Sequence, residues 1–331
     1  MPLLSVQNLS IGLNTRRGQV TVIDDLSIDV DAGEILGVVG ESGAGKSLTG
    51  MAILHLLDHP LVQSGGEIRF DGRRIDALSS RELDAMRGKD IAAVFQDSMT
   101  SLNPIMSIGS QLIETILTHL PLTRREAVGR AVQLLTEVGI PGPRERLAAH
   151  PHQLSGGMRQ RVVLALAFAS EPRLIIADEP TTALDVSLQA QIVSLLKSMA
   201  EERGAAIIFI THDMGLIAEI ADRVAVLYAG RIAEIGPTAA VLGSPRHPYT
   251  KSLIASIPRM NRPMQRLFQI EGVMPRPGDR PCGCAFHPRC PVAIARCPAE
   301  QPPLLPHEGS CAACWLLDPS VVLLNGVRQN A

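Results

Sequence analysis

Gly40-Glu41-Ser42-Gly43-Ala44-Gly45-Lys46-Ser47 is the stretch whose reading decides the fold. A glycine, four residues and then Gly-Lys-Ser is the spacing of a phosphate-binding loop. The apolar run Ile35-Leu36-Gly37-Val38-Val39 before it predicts a buried strand, and residues 48–57 after it predict a helix. That strand–loop–helix setting is what the motif needs. Glycines let the backbone turn tightly and aim successive N–H groups inward, and the following helix adds the positive end of its dipole. Such a cradle suits a chain of phosphates. Lys46 would reach the outer phosphates and the Ser47 hydroxyl would ligate Mg²⁺.

Composition bounds what can be built around the loop. The chain has 331 residues, 46% of them hydrophobic and 19% charged, which fits a globular protein with room for a second, smaller domain. A formal net charge of −2 argues against a general nucleic-acid binder. The longest apolar run, residues 162–169, is far short of the ~20 residues of a membrane span. The start, Met1-Pro2-Leu3-Leu4, lacks a signal-peptide profile, so a cytoplasmic location is expected. All six cysteines lie between Cys282 and Cys314, and half of the 24 prolines lie in residues 257–331. A compositional boundary is therefore expected near Ile257-Pro258. In a cytoplasmic chain such a cysteine group favours metal binding over disulfides.

Polar candidates recur at strand ends along the chain. Residues 3–39 alternate as strands joined by turns, with a hairpin loop at Asn14-Thr15-Arg16-Arg17-Gly18. Glu67-Ile68-Arg69-Phe70 predicts a strand, and Ser80 a cap for a short helix through Arg87. Residues 91–95 predict a buried strand ending at Gln96, a side chain that can reach Mg²⁺ or an attacking water. Residues 109–140 predict helices, one of them capped by Thr123. Leu154-Ser155-Gly156-Gly157-Met158-Arg159-Gln160-Arg161 opens another helix, and Ser155, Gly156 and Gly157 form a second anion-binding helix end. Residues 173–177 predict a strand ending in Asp178 and Glu179. Asp178 would orient Mg²⁺ and Glu179 would polarise the water that attacks the γ-phosphate. Thr182-Ala183-Leu184-Asp185 turns into a helix over 187–203, and the strand at 205–210 ends at Thr211-His212-Asp213. His212 is placed to touch the γ-phosphate.

Taken in order, these pieces resemble the ATP-binding subunit of an ABC transporter over residues 3–256. The phosphate loop, Gln96, the Leu154–Gln160 signature, Asp178-Glu179, Ala183-Leu184-Asp185 and His212 stand in the family's sequence order. The resemblance implies an α/β P-loop ABC ATPase with a mixed β-sheet core, an antiparallel β-subdomain and a helical subdomain at about 97–165. Residues 257–331 then form a small Cys/Pro-rich C-terminal domain. It also implies that two such subunits meet head to tail, each ATP lying between one phosphate loop and the partner's Ser155, Gly156, Gly157, Gln160 and Asp185. In the family an aromatic residue usually stacks on adenine; Leu13 stands at that position here, so weak base discrimination is expected.

The run 97–104 after Gln96, the His247-Pro248-Tyr249-Thr250 stretch and Gly283-Cys284-Ala285-Phe286-His287-Pro288-Arg289-Cys290-Pro291 narrow the resemblance to the oligopeptide/dipeptide/nickel importer subfamily. Some members carry a [4Fe–4S] cluster, which the resemblance assigns here to Cys284, Cys290, Cys297 and Cys314. Zinc or unligated thiols are the alternatives. His287 reads as structural. The implied partners are a paralogous ATPase subunit, two transmembrane permease subunits and an extracytoplasmic solute-binding protein, with this chain peripheral on the cytoplasmic face of the inner membrane. Dipeptides, longer peptides, nickel chelates and glutathione-like molecules all remain open as cargo. A non-transport ABC ATPase of translation or DNA repair fits less well, since the chain has one cassette and only a modest helical insert. A redox-sensing module built on the cysteine tail is a further alternative.

Overall fold

The computed structural model describes residues 1–96, 101–182, 184–257 and 269–321. The stretch 97–100, Ala183 and the compositional boundary after Ile257 therefore lie outside the described residues. In chain order the elements are β1 (Leu4–Thr15), β2 (Gly18–Val30), β3 (Ile35–Val39), α1 (Lys46–Ile53), β4 (Leu61–Phe70), β5 (Arg73–Arg74), α2 (Ser80–Met86), β6 (Ile91–Val94), α3 (Ile108–His119), α4 (Arg124–Glu137), α5 (Pro143–Arg146), α6 (Gly156–Ala167), β7 (Leu174–Asp178), α7 (Val186–Arg203), β8 (Ala206–Thr211), α8 (Met214–Ile220), β9 (Arg223–Tyr228), β10 (Arg231–Pro237), α9 (Thr238–Gly243), α10 (Pro248–Ala255), β11 (Leu305–His307) and β12 (Ser310–Ala312). They fall into two compact units. One comprises Met1–Leu3, Val30–Ile35 and Arg73–Ile210; the other comprises Leu4–Asp29, Leu36–Gly72 and Thr211–Ala331.

In the first unit β6, β7 and β8 run parallel, with Ala92 opposite Ile175 and Ile175 opposite Ile207. Their apolar runs are continuous because both faces are covered, as parallel strands require. Leu174, Ile175, Ala177, Ile207, Phe209 and Ile210 are all buried. Parallel pairing brings the C-terminal ends of these strands to one edge, where ligands gather in such sheets. The helical insert packs α3 against α4 and both against α6. Thr123 caps α4 as expected, in a capping box with Glu126. The cap of α2 is Ser79 rather than Ser80, because Glu82 three residues on completes a capping box with Ser79.

The second unit holds an antiparallel sheet in the order β2-β1-β4-β5, and a run β11-β12-β10-β9-β3 in which only β3 and β9 are parallel. Strand β4 starts six residues before the expected Glu67. Gly65 and Gly66 sit opposite a bulge in β1 and hide the alternation there. Helix α1 stops at Ile53, short of the expected Leu57. His55 takes a left-handed φ of +53°, and Leu56 N–H bonds back to Met51 O at 2.8 Å, which closes the helix end. The C-terminal segment is not sheet-free: β12 extends the sheet beyond β10, with Glu234 opposite Ala312. Among the described residues no helix is long and apolar enough to cross a membrane.

Helix α10 begins with His247 as its cap. Nδ1 accepts from Tyr249 N–H at 3.0 Å, and the ring also bonds the backbone of Ala313. Burial pushes its pKa from 6.5 down to about 4, so the ring is neutral in the fold. The unfolded chain therefore binds more protons between those values, and stability falls as pH falls through that window. The full loss is about 3 kcal/mol. Replacing His247 by Asn keeps a capping acceptor that does not titrate. Thermal unfolding midpoints measured from pH 7 to pH 4 are expected to fall less steeply in His247→Asn than in the wild type.

Candidate functional site

Strand β3 delivers the phosphate loop, and Gly45 caps α1 in the left-handed region, φ +106°. Lys46 is only 5% exposed, and its Nζ donates to Gly40 O at 2.9 Å and Glu41 O at 3.4 Å. The ammonium is therefore curled against the loop's own carbonyls. Gly40 has φ +155°, and a Cβ there would lie 2.3 Å from Leu227 O, so only glycine fits. The loop is seated by Gly230 N–H on Ala44 O at 2.9 Å. Ser42, Gly43 and Ser47 face solvent, so the loop has an open side where a phosphate chain can enter. His212, just past the end of β8, falls in the phosphate loop's unit and is exposed. Leu13 is half-buried on β1, opposite Leu61.

In the other unit the parallel strands bring Gln96 and the acidic pair together. Gln96 lies two residues past β6, Asp178 ends β7 and Glu179 follows it. Gln96 Nε2 donates to Glu179 Oε2 at 3.3 Å, and Thr182 Oγ1 donates to the same oxygen at 2.8 Å. Glu179 takes a left-handed φ of +46°. Such backbone costs about 1–3 kcal/mol and persists where the surroundings over-determine it. Here Glu179 N–H bonds to Ile210 O at 2.9 Å, holding the turn to β8. Thr182 was read from sequence only as part of a turn; its hold on Glu179 becomes visible with the turn folded.

The signature forms one wall of an open groove of about 490 Å³, lined by Ser155, Gly156, Gly157, Arg161, Leu184 and Asp185 among others. Ser155 caps α6 by accepting from Met158 N–H at 3.3 Å. Asp185 caps α7 by accepting from Leu188 N–H at 3.0 Å. Two helix N-termini thus open onto one groove. A Cβ on Gly157 would come within 2.5 Å of Leu188 Cδ2, so the leucine side chain would have to shift to admit one. Gln160 is buried and its amide donates to Pro180 O at 2.6 Å. It ties α6 to the acidic turn.

In the C-terminal segment Cys284, Cys290, Cys297 and Cys314 line one small pocket with Phe286, His287 and Trp315. All six cysteines carry free thiols, and Cys282 is exposed. Burial, and after it the neighbouring Cys297, Cys314 and Cys290, push the Cys284 thiol up to about 11. Burial also raises Cys290 and Cys314. Among the described residues no group of three or more His, Cys, Asp or Glu stands at metal-holding spacing. Four thiols nonetheless line that one pocket. A His287 ring nitrogen is hydrogen-bonded to Cys284 O at 2.9 Å, in keeping with a structural role.

The sequence profile of the ABC transporter family matches residues 23–182, and that of the oligopeptide/dipeptide transporter C-terminal region matches residues 233–297. The dipeptide transport ATP-binding protein DppD of Escherichia coli strain K12 is 44% identical over 304 residues, covering 92% of this chain and 93% of that protein. This chain is an ABC transporter ATP-binding subunit of the oligopeptide/dipeptide branch. DppD of Haemophilus influenzae is likewise 44% identical, over 94% of each chain. Among solved structures, the dimeric ATP-binding cassette MJ0796 in a post-hydrolysis state with ADP and Pi superposes with a TM-score of 0.64 at 26% identity, over 71% of this chain and 98% of that one. CbiO1 of Clostridium perfringens, part of the complex cbiONQ, gives 0.63 at 28% identity, over 73% and 91%. ATP and Mg²⁺ are accordingly this family member's nucleotide and metal.

Thr182 is the handle that orients Glu179. In Thr182→Val the carboxylate loses one donor, and a hydrogen bond to a charged group is worth about 1.5–3 kcal/mol. Steady-state ATPase kinetics are expected to show kcat lowered about tenfold or more with KM nearly unchanged.

Proposed function

We propose that this subunit hydrolyses ATP to drive a membrane importer of di- or oligopeptides. The observation that carries the reading is the presence, in one chain, of the phosphate loop with its buried lysine and a C-terminal region of the oligopeptide/dipeptide type. The 44% identity to dipeptide transport ATP-binding proteins points to the same cargo class.

The roles follow from the chemistry of the side chains. Gly40, Glu41, Ser42, Gly43, Ala44 and Gly45 form the phosphate cradle, with the N–H groups of Glu41 and Ala44 bracing it and the others turned to the phosphates, and Lys46 swings from its carbonyls to the outer two. Ser47, Gln96 and Asp178 are the oxygen donors for Mg²⁺, which when bound supplies positive charge against the charge that develops on the γ-phosphate. Glu179 holds and polarises the attacking water, and His212 contacts the γ-phosphate. Leu13 packs on the base without stacking. Ser155, Gly156, Gly157 and Asp185 serve the nucleotide of a second ATPase subunit. Binding then favours the closed pair, and hydrolysis with phosphate release reopens it. That second subunit is a paralogue. Two permease subunits and an extracytoplasmic solute-binding protein complete the importer, and this chain lies peripherally on the cytoplasmic face. Residues 1–256 are the nucleotide-binding domain and 257–331 the extension. Cys284, Cys290, Cys297 and Cys314 hold a [4Fe–4S] cluster, a proposal supported by the one pocket they share.

Anaerobic affinity purification from detergent-solubilised membranes tests this reading. The expected result is two multi-span proteins and a second ATPase by mass spectrometry, with about four iron and four sulfide per copy of this chain. Recovery of ribosomal or DNA-associated proteins with no membrane partner would overturn the transport reading. Zinc in place of iron would overturn the cluster alone.

A further inference from the structure

The phosphate loop is gripped by the C-terminal segment, through a residue its own motif does not call for. Glu41 is the loop's second residue, so its carboxylate puts a negative charge on the loop that is to take a chain of phosphates. Arg289 meets that carboxylate with two hydrogen bonds, 2.7 and 3.0 Å, and its side chain is only 7% exposed. The guanidinium is itself held in place. Its Nε–H donates to Glu271 O at 2.8 Å, and Tyr228 Oη accepts from it at 3.3 Å. Glu41 is also gripped by its backbone, whose N–H donates to Tyr249 Oη at 2.9 Å.

What aims Arg289 is an aromatic cluster. Phe286 is buried, with ring centroids 5.2 Å from Tyr228 and 5.4 Å from Tyr249. A 3₁₀ turn, His287–Arg289, starts directly after it and carries the arginine to the loop. The same turn leads into Cys290, so the cysteine segment meets the phosphate loop through Arg289.

We propose that Arg289 is a positioning residue for the nucleotide site: by neutralising and holding Glu41 it keeps the phosphate loop receptive to the phosphates of ATP. The proposal rests on residues 40–47 being the ATP cradle. Without the guanidinium, the Glu41 carboxylate repels the incoming phosphates through a poorly screened, half-buried path. A plain staple for the tail would instead make Arg289 matter through folding alone.

ATP affinity by calorimetry, together with KM and kcat, on the full chain separates the two. Arg289→Ala is expected to weaken ATP binding about tenfold and raise KM, leaving kcat within about twofold. The double variant Glu41→Gln/Arg289→Ala, which removes the repelling charge together with the guanidinium, is expected to recover most of the affinity that Arg289→Ala loses. Wild-type affinity in Arg289→Ala overturns the proposal. So does a double variant as weak as Arg289→Ala. Should Arg289→Ala show no cooperative thermal transition, Arg289→Gln, which keeps an amide donor without the charge, takes its place: a similar loss of affinity is expected, and wild-type affinity in it overturns the proposal. Lys46→Ala serves as the reference. If it binds ATP as the wild type does, the phosphate-loop reading fails; if it loses binding while Arg289→Ala keeps it, Arg289 alone is refuted.

Discussion

A buried ammonium, Lys46, donating to the Gly40 and Glu41 carbonyls of its own loop, is the interaction on which the proposed nucleotide chemistry depends. A buried charge is tolerable only when its donors are met. The loop meets them with carbonyls, which are easily exchanged for phosphate oxygens of the same geometry. This arrangement requires a backbone bent so that carbonyls face the lysine while N–H groups face outward. Gly40 against Leu227 O, Ala44 O on Gly230 and Glu41 between Tyr249 and Arg289 hold that bend. Every one of those supports comes from residues after 226, far along the chain from the loop they brace.

The acidic turn follows a comparable logic in the other unit. Glu179 is placed by the end of a buried strand, kept in a left-handed backbone conformation and oriented at one oxygen by Gln96 and Thr182. A carboxylate that must act on water gains from being oriented before substrate arrives, because reorganisation at the moment of reaction then costs little. The signature groove adds two helix N-termini, from α6 and α7, that are drawn together at Gly157 and tied to the acidic turn by Gln160. The Gln160 amide thereby joins the signature helix to Pro180, the residue that follows Glu179.

Much of this was legible in the sequence because it is local. The glycine spacing around Lys46, the Thr123–Glu126 capping box and the buried strand ahead of Asp178 each write their physics into adjacent residues. The illegible parts depend on distant partners or broken periodicity. The early part of β4 was hidden by Gly65 and Gly66, whose bulge interrupts alternation. Strands β11 and β12 are three residues each, too short for any period to show. Gln160 stands in a motif yet faces inward, which only the position of Pro180 explains. The Arg289–Glu41 pair joins residues 248 apart, and nothing in either neighbourhood announces the other.

The most direct test of the catalytic arrangement is Glu179→Gln in the chain assembled with its membrane partners, with ATP binding, ATP turnover and peptide uptake measured on the same preparation. An oriented carboxylate acting on water predicts turnover and uptake lowered by about a hundredfold or more, with ATP affinity within about threefold of the wild type. Undiminished turnover in Glu179→Gln would contradict it, and would move the water-activating role to another group at the ends of β6, β7 and β8.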